Sequence, residues 1–217
     1  MKRFISLCLA ILMIFALLPV SAFAESDSFE SYDYQIALAK QIFPEYRDKL
    51  EGKTSAYASK PRTRSEEIHV AIQKTRPVDD DTVMTYTEYD NGLVTLGTAR
   101  FSKEADYTVT GEKAYTSYTE YTAKIVASVV EGPTFTATDV KYRIYPISYD
   151  KVTSAGSYSI PGYSSSKFTV NTRGTETSSL PAYVSYSFPC PVGLSSYSGE
   201  VSLSIKSNSV SVYFDIW

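Results

Sequence analysis

The final seventeen residues, VSLSIKSNSVSVYFDIW, constrain this chain more than any other stretch. Val201, Leu203 and Ile205 alternate with polar residues, and Val210, Val212, Phe214 and Ile216 resume the alternation after a turn at Ser207 to Ser209. A period of two on both arms specifies an antiparallel hairpin with one oily face and one wet face, whereas a helix would need a period of 3.6. A lone hairpin cannot bury such a face in water, so the chain must supply a second layer.

The same alternation recurs upstream. Ile68, Val70 and Ile72 alternate with His69, Ala71 and Gln73, and residues 83–89 and 93–101 flank Asn91-Gly92, a dipeptide suited to a type I′ hairpin. Further strands are expected over 114–130 and 134–147, near 167–172 and over 182–188, separated by Gly, Pro and Ser clusters. A parallel sheet would need helices between these strands, and none are written there. The expected fold is mainly β: an antiparallel β-sandwich, immunoglobulin-like or jelly-roll-like, preceded by a short N-terminal helical segment.

That helical segment carries Tyr32, Ile36, Ala39, Phe43, Tyr46 and Leu50 at steps of four and three, one face of a helix. Pro44 lacks the N–H that a helix interior requires, so the spacing predicts a helix over 31–42 and a second short turn opening at Pro44. Gly52 is expected to close it. Residues 53–64 are small, polar and basic and read as a linker, giving a helical segment and linker over 25–64 and a sandwich over 65–217.

Residues 1–24 have the form of a signal peptide. Lys2 and Arg3 precede an apolar run from Phe4 to Val20, and Ala22-Phe23-Ala24 supplies small residues at the cleavage positions. The expectation is secretion, with cleavage after Ala24 and no membrane span in the exported chain. Loss of Lys2 and Arg3 leaves nineteen basic residues against 24 acidic ones, a formal charge of −5 with no basic cluster. Nucleic acid is therefore not an expected partner. Cys190 is the one cysteine left, so no internal disulfide can form and an ordinary core must hold the fold.

The quartet Tyr-Thr-Glu-Tyr occurs twice, at 86–89 and at 118–121. On the second strand Tyr115, Ser117, Thr119, Tyr121, Ala123, Ile125, Ala127 and Val129 share an uncharged face, leaving Tyr118, Glu120 and Lys124 on the wet one. If Asn91-Gly92 forms a two-residue turn, Tyr89 pairs with Val94 and Thr87 with Leu96, while Tyr86 and Glu88 lie across from Gly97 and Thr95 on the solvent side. Tyr86, Glu88, Tyr118 and Glu120 are thus the candidate binding residues, since a ring beside a carboxylate suits a sugar or a peptide. Tyr and Thr are also simply favoured on pleated surfaces, which accounts for the quartets structurally.

Catalytic chemistry is sparse. His69 is the only histidine, Cys190 lies between prolines in PCPVG, and Asp79-Asp80-Asp81 lacks the ligand spacing of an EF-hand. Glu88, Glu120, Glu176 and Glu200 could supply the paired carboxylates of a glycosidase. No catalytic residue, metal ligand or cofactor is expected. The composition points to a non-enzymatic extracellular protein that recognises a glycan or another protein. A carboxylate-dependent hydrolase is the alternative, and a pore-forming protein with an inserting C-terminal hairpin is a more distant one.

Overall fold

The computed structural model describes residues 28–52, 68–110, 115–193 and 195–217. The leader over 1–24 and the linker over 53–64 lie outside the described residues. The first sheet is seven-stranded, in the order β1 (Val70–Pro77), β2 (Thr82–Tyr89), β3 (Val94–Thr110), β4 (Tyr115–Val129), β5 (Thr134–Ile144) and β6 (Lys151–Ser154), with β7 (Ser157–Ser159) also paired to β5. The second sheet runs β11 (Ser209–Ile216), β10 (Ser195–Lys206), β9 (Ala182–Val192) and β8 (Thr169–Arg173). Each strand pair is antiparallel, and the two sheets stack as a β-sandwich.

The C-terminal hairpin forms as its alternation requires. Ile205 pairs with Val210, Leu203 with Val212 and Val201 with Phe214, all directed between the sheets. Ser207 and Asn208 take φ of 51° and 64° at the two central turn positions, the left-handed pair of a type I′ turn. Two buried carboxylates hold this turn from outside the hairpin: the Ser207 amide donates to Glu176 Oε1 at 3.0 Å and the Asn208 amide to Asp150 Oδ2 at 2.7 Å. At the other end Trp217 and Ser198 exchange both backbone hydrogen bonds. Removal of residues 214–217 takes away Phe214 and Ile216, both buried, together with that closing pair. The truncated chain is expected to lose several kcal/mol, of the order of two large core deletions, read as a sharply lowered urea midpoint.

The first hairpin departs from its expected register by one residue. The turn runs Tyr89-Asp90-Asn91-Gly92-Leu93: the Gly92 amide donates to Tyr89 O, the Tyr89 amide donates to Leu93 O, and only Gly92 has positive φ, at 84°. Asn91 keeps a negative φ and accepts the Leu93 amide on its own side chain at 3.0 Å. This is the three-residue loop with a glycine bulge, not the two-residue turn. Glu88 therefore pairs with Val94, Thr87 with Thr95 and Tyr86 with Leu96. Val94 and Leu96 turn away from the second sheet, and Thr95, Gly97 and Ala99 turn toward it.

The face that receives Val94 and Leu96 is covered by the N-terminal segment. Helix α1 (Tyr32–Ile42) opens at Ser31, whose hydroxyl accepts the Tyr34 amide, and ends at Phe43 before Pro44. A 3-10 turn over Pro44–Tyr46 leads into α2 (Arg47–Leu50), and Gly52 ends it with φ of 69°. Ile36, Ala39, Phe43 and Leu50 pack on Met84, Tyr86, Val94, Leu96 and Val130 as a second, smaller core. Gln35 is fully buried at this interface, donating to Phe29 O at 2.7 Å and accepting from the Thr98 hydroxyl. The first sheet is thus the middle of three layers over β2, β3 and part of β4.

The main core between the sheets is unusually rich in phenols and rings. Phe135 and Phe188 stack at 4.9 Å with an angle of 4°, and Phe188 lies across the bare backbone of its cross-strand partner Gly199, where a Cβ would come within 2.6 Å of the ring. Burial raises the pKa of Tyr89, Tyr142 and Tyr186 well above the ordinary phenol value, with the Asp215 carboxylate adding to the shift at Tyr89. Below about pH 10 these phenols are neutral in both folded and unfolded chains, so they add no pH dependence. Above it the unfolded chain ionises while the folded one stays protonated, so unfolding releases protons and stability falls as pH rises. Urea midpoints measured at pH 9, 10 and 11 should decline in that order, with buried phenolate absorbance appearing only as the protein unfolds.

Candidate functional site

The two quartets share one local design. Their second tyrosines face the second sheet: Tyr89 is 1% exposed in the inter-sheet core, and Tyr121 packs against that core and stacks on Tyr142 at 5.2 Å. Their first tyrosines and glutamates lie on the opposite face, and each glutamate meets a cation. Glu88 is ion-paired to Lys49 and accepts the Tyr86 hydroxyl at 3.2 Å, while Glu120 accepts Arg143 Nε at 2.7 Å.

What differs is the cover. Tyr86 is fully buried, stacked on Tyr46 of the N-terminal segment at 4.2 Å and 6°, with Phe43 tilted beside it at 5.8 Å. The expectation that Tyr86 and Glu88 face solvent is therefore corrected: the apolar stripe of the N-terminal helices seats on that face. Tyr86 also pairs with Leu96 rather than covering Gly97, which instead lies beneath Phe214. Tyr118 and Glu120 do point away from the second sheet, on a stretch beyond the helix core, and both are half-buried by their neighbours.

Those neighbours make a tyrosine ladder across β3, β4 and the residue that follows β5. Tyr118 stacks with its cross-strand partner Tyr107 at 5.0 Å and packs against Tyr145 at 5.2 Å. Arg143 sits over the Tyr118 ring at 4.6 Å and Lys151 over the Tyr145 ring at 5.5 Å, positions that favour cation–π attraction. The hydrogen bond to Glu120 holds the Arg143 guanidinium still more firmly protonated. Openness is graded along the ladder, from Tyr107 at 42% exposed to Tyr145 at 7%. Val109, Ile147 and Tyr149 are also exposed, and strand order places them toward the same end of the first sheet. Sequence reasoning missed Tyr107, Arg143 and Tyr145; the available signal was the register of β3, β4 and β5, which sets Tyr107 opposite Tyr118 and Arg143 opposite Glu120, with Tyr145 one residue past the end of β5.

The remaining candidates do not assemble into a reaction centre. Asp150 and Glu176 are buried together but their oxygens accept backbone amides of Tyr145, Asp150, Ser207 and Asn208, a structural clasp. Glu200 lies directly across from Asp215, whose Oδ1 accepts the Tyr89 phenol and the Ile216 amide. Asp79 uses its carboxylate to accept the Asp81 amide in the β1–β2 turn, and bonding to Thr82 lowers its pKa. Among the described residues no group of three or more metal-ligating side chains is gathered.

His69 is exposed just before β1 of the first sheet, whereas Cys190 is fully buried in β9 of the second, paired with Tyr197. Burial pushes the Cys190 thiol up to about 12, leaving almost no thiolate for attack at neutral pH. A chain lacking residues 1–24 should therefore be inert to Ellman's reagent at pH 8 while folded, releasing about one equivalent of thiolate only in denaturant.

Comparison with known proteins yields no match to a family model, a curated protein or a solved structure.

Proposed function

We propose that the chain is a secreted, non-enzymatic recognition protein whose contact surface is the ladder of Tyr107, Tyr118 and Tyr145 with Arg143 and Lys151. The observation that carries this reading is the equivalence of the two quartets. The first is already a docking surface inside the molecule, taking the aromatic and cationic side chains of a helical segment: Tyr46 stacks on Tyr86 and Lys49 pairs with Glu88. The second repeats the tyrosine and glutamate with no such cover among the described residues, and its outermost ring is 42% exposed.

That internal template favours a protein partner presenting an aromatic side chain over a glycan, although a flat phenol face serves either. Tyr and Arg are the residue types most often found to dominate binding energy at protein interfaces, which supports placing the anchor there. Carboxylate-dependent hydrolysis is the weaker reading, because Glu120 is held by Arg143 and Glu88 lies under the helix.

The test is a binding screen of the exported chain against extracellular protein libraries and against cell-wall and host glycans, repeated with Tyr107→Ala. Tyr107 is open to solvent, so its removal should leave the thermal midpoint nearly unchanged while weakening any genuine contact by at least tenfold, about 1.4 kcal/mol. Binding that survives Tyr107→Ala and Tyr118→Ala, or normal folding with no ligand in either library, would overturn the proposal. Turnover of a chromogenic glycoside that Glu120→Gln abolishes would establish the hydrolase instead.

A further inference from the structure

The one-residue register of the first hairpin has a second result, on the opposite side of the first sheet. Where β4 and β5 send Ile125, Phe135 and Tyr142 between the sheets, β2 and β3 send Thr85, Thr87, Thr95 and Gly97. Small side chains cannot fill the inter-sheet gap that large ones fill elsewhere. A cleft of about 330 Å³ remains between β1 to β3 and the hairpin β10–β11, at the lower end of the volumes that hold small ligands. β1 and β11 are edge strands of their sheets, and both line the cleft.

The lining is divided. Ile125, Ala127, Val201 and Phe214 give an apolar floor, while threonines of β1 to β3, Gln73 and Ser211 give a polar wall, and none of the sixteen lining residues is charged. Thr75 and Thr85 bond to each other at 2.9 Å and Gln73 donates to Thr87 at 3.3 Å. Thr95 does not share in this pairing. It is 1% exposed, and its Oγ1 is buried without any hydrogen-bond partner. It lies near enough to Tyr89 to favour the phenolate, yet makes no hydrogen bond to it. An unmet buried hydroxyl is costly, and this one belongs to a residue that lines the cleft.

We infer that this cleft is a binding site for an uncharged amphipathic small molecule, with an apolar body on the Ile125 and Phe214 floor and one hydroxyl or carbonyl group at the threonine wall, completing Thr95. A charged group would be desolvated there with no opposite charge to meet it, so an anion or cation of the same size is rejected. Dry apolar cavities take up neutral ligands readily, and the polar wall selects among them. The site is separate from the tyrosine ladder, which lies on the other face of the first sheet and shares no residue with it.

The experiment titrates the exported chain with N-phenyl-1-naphthylamine, a neutral probe whose fluorescence rises in apolar surroundings, and then displaces it with decan-1-ol or with decanoate at pH 8. Saturable enhancement at one probe per chain, displaced at least tenfold more effectively by decan-1-ol than by decanoate, is expected. Val212→Trp and, independently, Thr85→Trp should fill the cleft and abolish the enhancement; circular dichroism identifies whichever of them folds. Thr95→Val keeps the shape but removes the unmet hydroxyl, so it should raise the thermal midpoint by about 2–4 °C and weaken decan-1-ol roughly fivefold. Tyr107→Ala should leave probe binding unchanged, which keeps failure here distinct from failure of the recognition surface. No saturable enhancement with folded protein, equal displacement by decanoate, or enhancement that persists in a folded cleft-filling variant would overturn the inference and leave the space to water alone.

Discussion

A single left-handed residue, Gly92, governs how the first sheet relates to both of its neighbours. A strand presents alternate side chains to opposite faces, so moving the pairing of β2 and β3 by one residue exchanges which of the β3 side chains meet which layer. With the bulge at Gly92, Val94 and Leu96 meet the helices, and Thr95 and Gly97 meet the second sheet. The helix core and the inter-sheet cleft are two sides of that one choice. A two-residue turn would have sent the large residues into the gap and the small ones under α1, closing the cleft and stripping the helices of their seat.

The seat itself depends on Tyr86. Its ring gives the N-terminal segment a flat floor for Tyr46 and Phe43, and its hydroxyl helps hold Glu88 where Lys49 can reach it. Arg76 extends the contact from β1, pairing with Glu45 at 2.7 Å and lying over Phe43 at 5.1 Å. Such exposed ion pairs contribute little by area or charge, and the stabilisation rests on the buried aromatic and aliphatic surface between them. The cations serve to fix where along the sheet the helices sit.

These devices were unequally visible in the amino-acid order. The C-terminal hairpin was legible in both arms and their inward faces, because seven apolar residues alternate there, while its turn is one residue shorter than the expected Ser207 to Ser209, since Ser209 already pairs with Lys206. The helical stripe was legible too, down to the break at Pro44, since proline removes a donor wherever it stands. The first hairpin was ambiguous: Asn91-Gly92 suits a two-residue turn as well as the longer loop, in which the Asn91 side chain accepts the Leu93 amide. That choice also buries Leu96 under a helix that ends at Ile42, far away in sequence, which the local sequence does not encode. The short strands β6 and β7 escaped detection for a related reason, being four and three residues long and held by β5 rather than by their own pattern.

The repeated quartet shows how little a motif decides without its surroundings. Tyr-Thr-Glu-Tyr sets one phenol inward, one outward and a carboxylate beside it, and on this sheet it does so twice. On β2 the outward half is buried by the chain's own aromatic side chains, so its free energy is spent on folding. On β4 the outward half meets Tyr107, Tyr145 and Arg143, which belong to the same sheet or its immediate continuation and leave Tyr107 at the end of the ladder 42% exposed. A ring that ends a stack without cover retains apolar area that water solvates poorly, and whatever removes that area from water gains what Tyr46 gains on Tyr86. The physical difference between the two quartets is, among the described residues, the presence of one helical segment, and the sheet beneath is built alike for both.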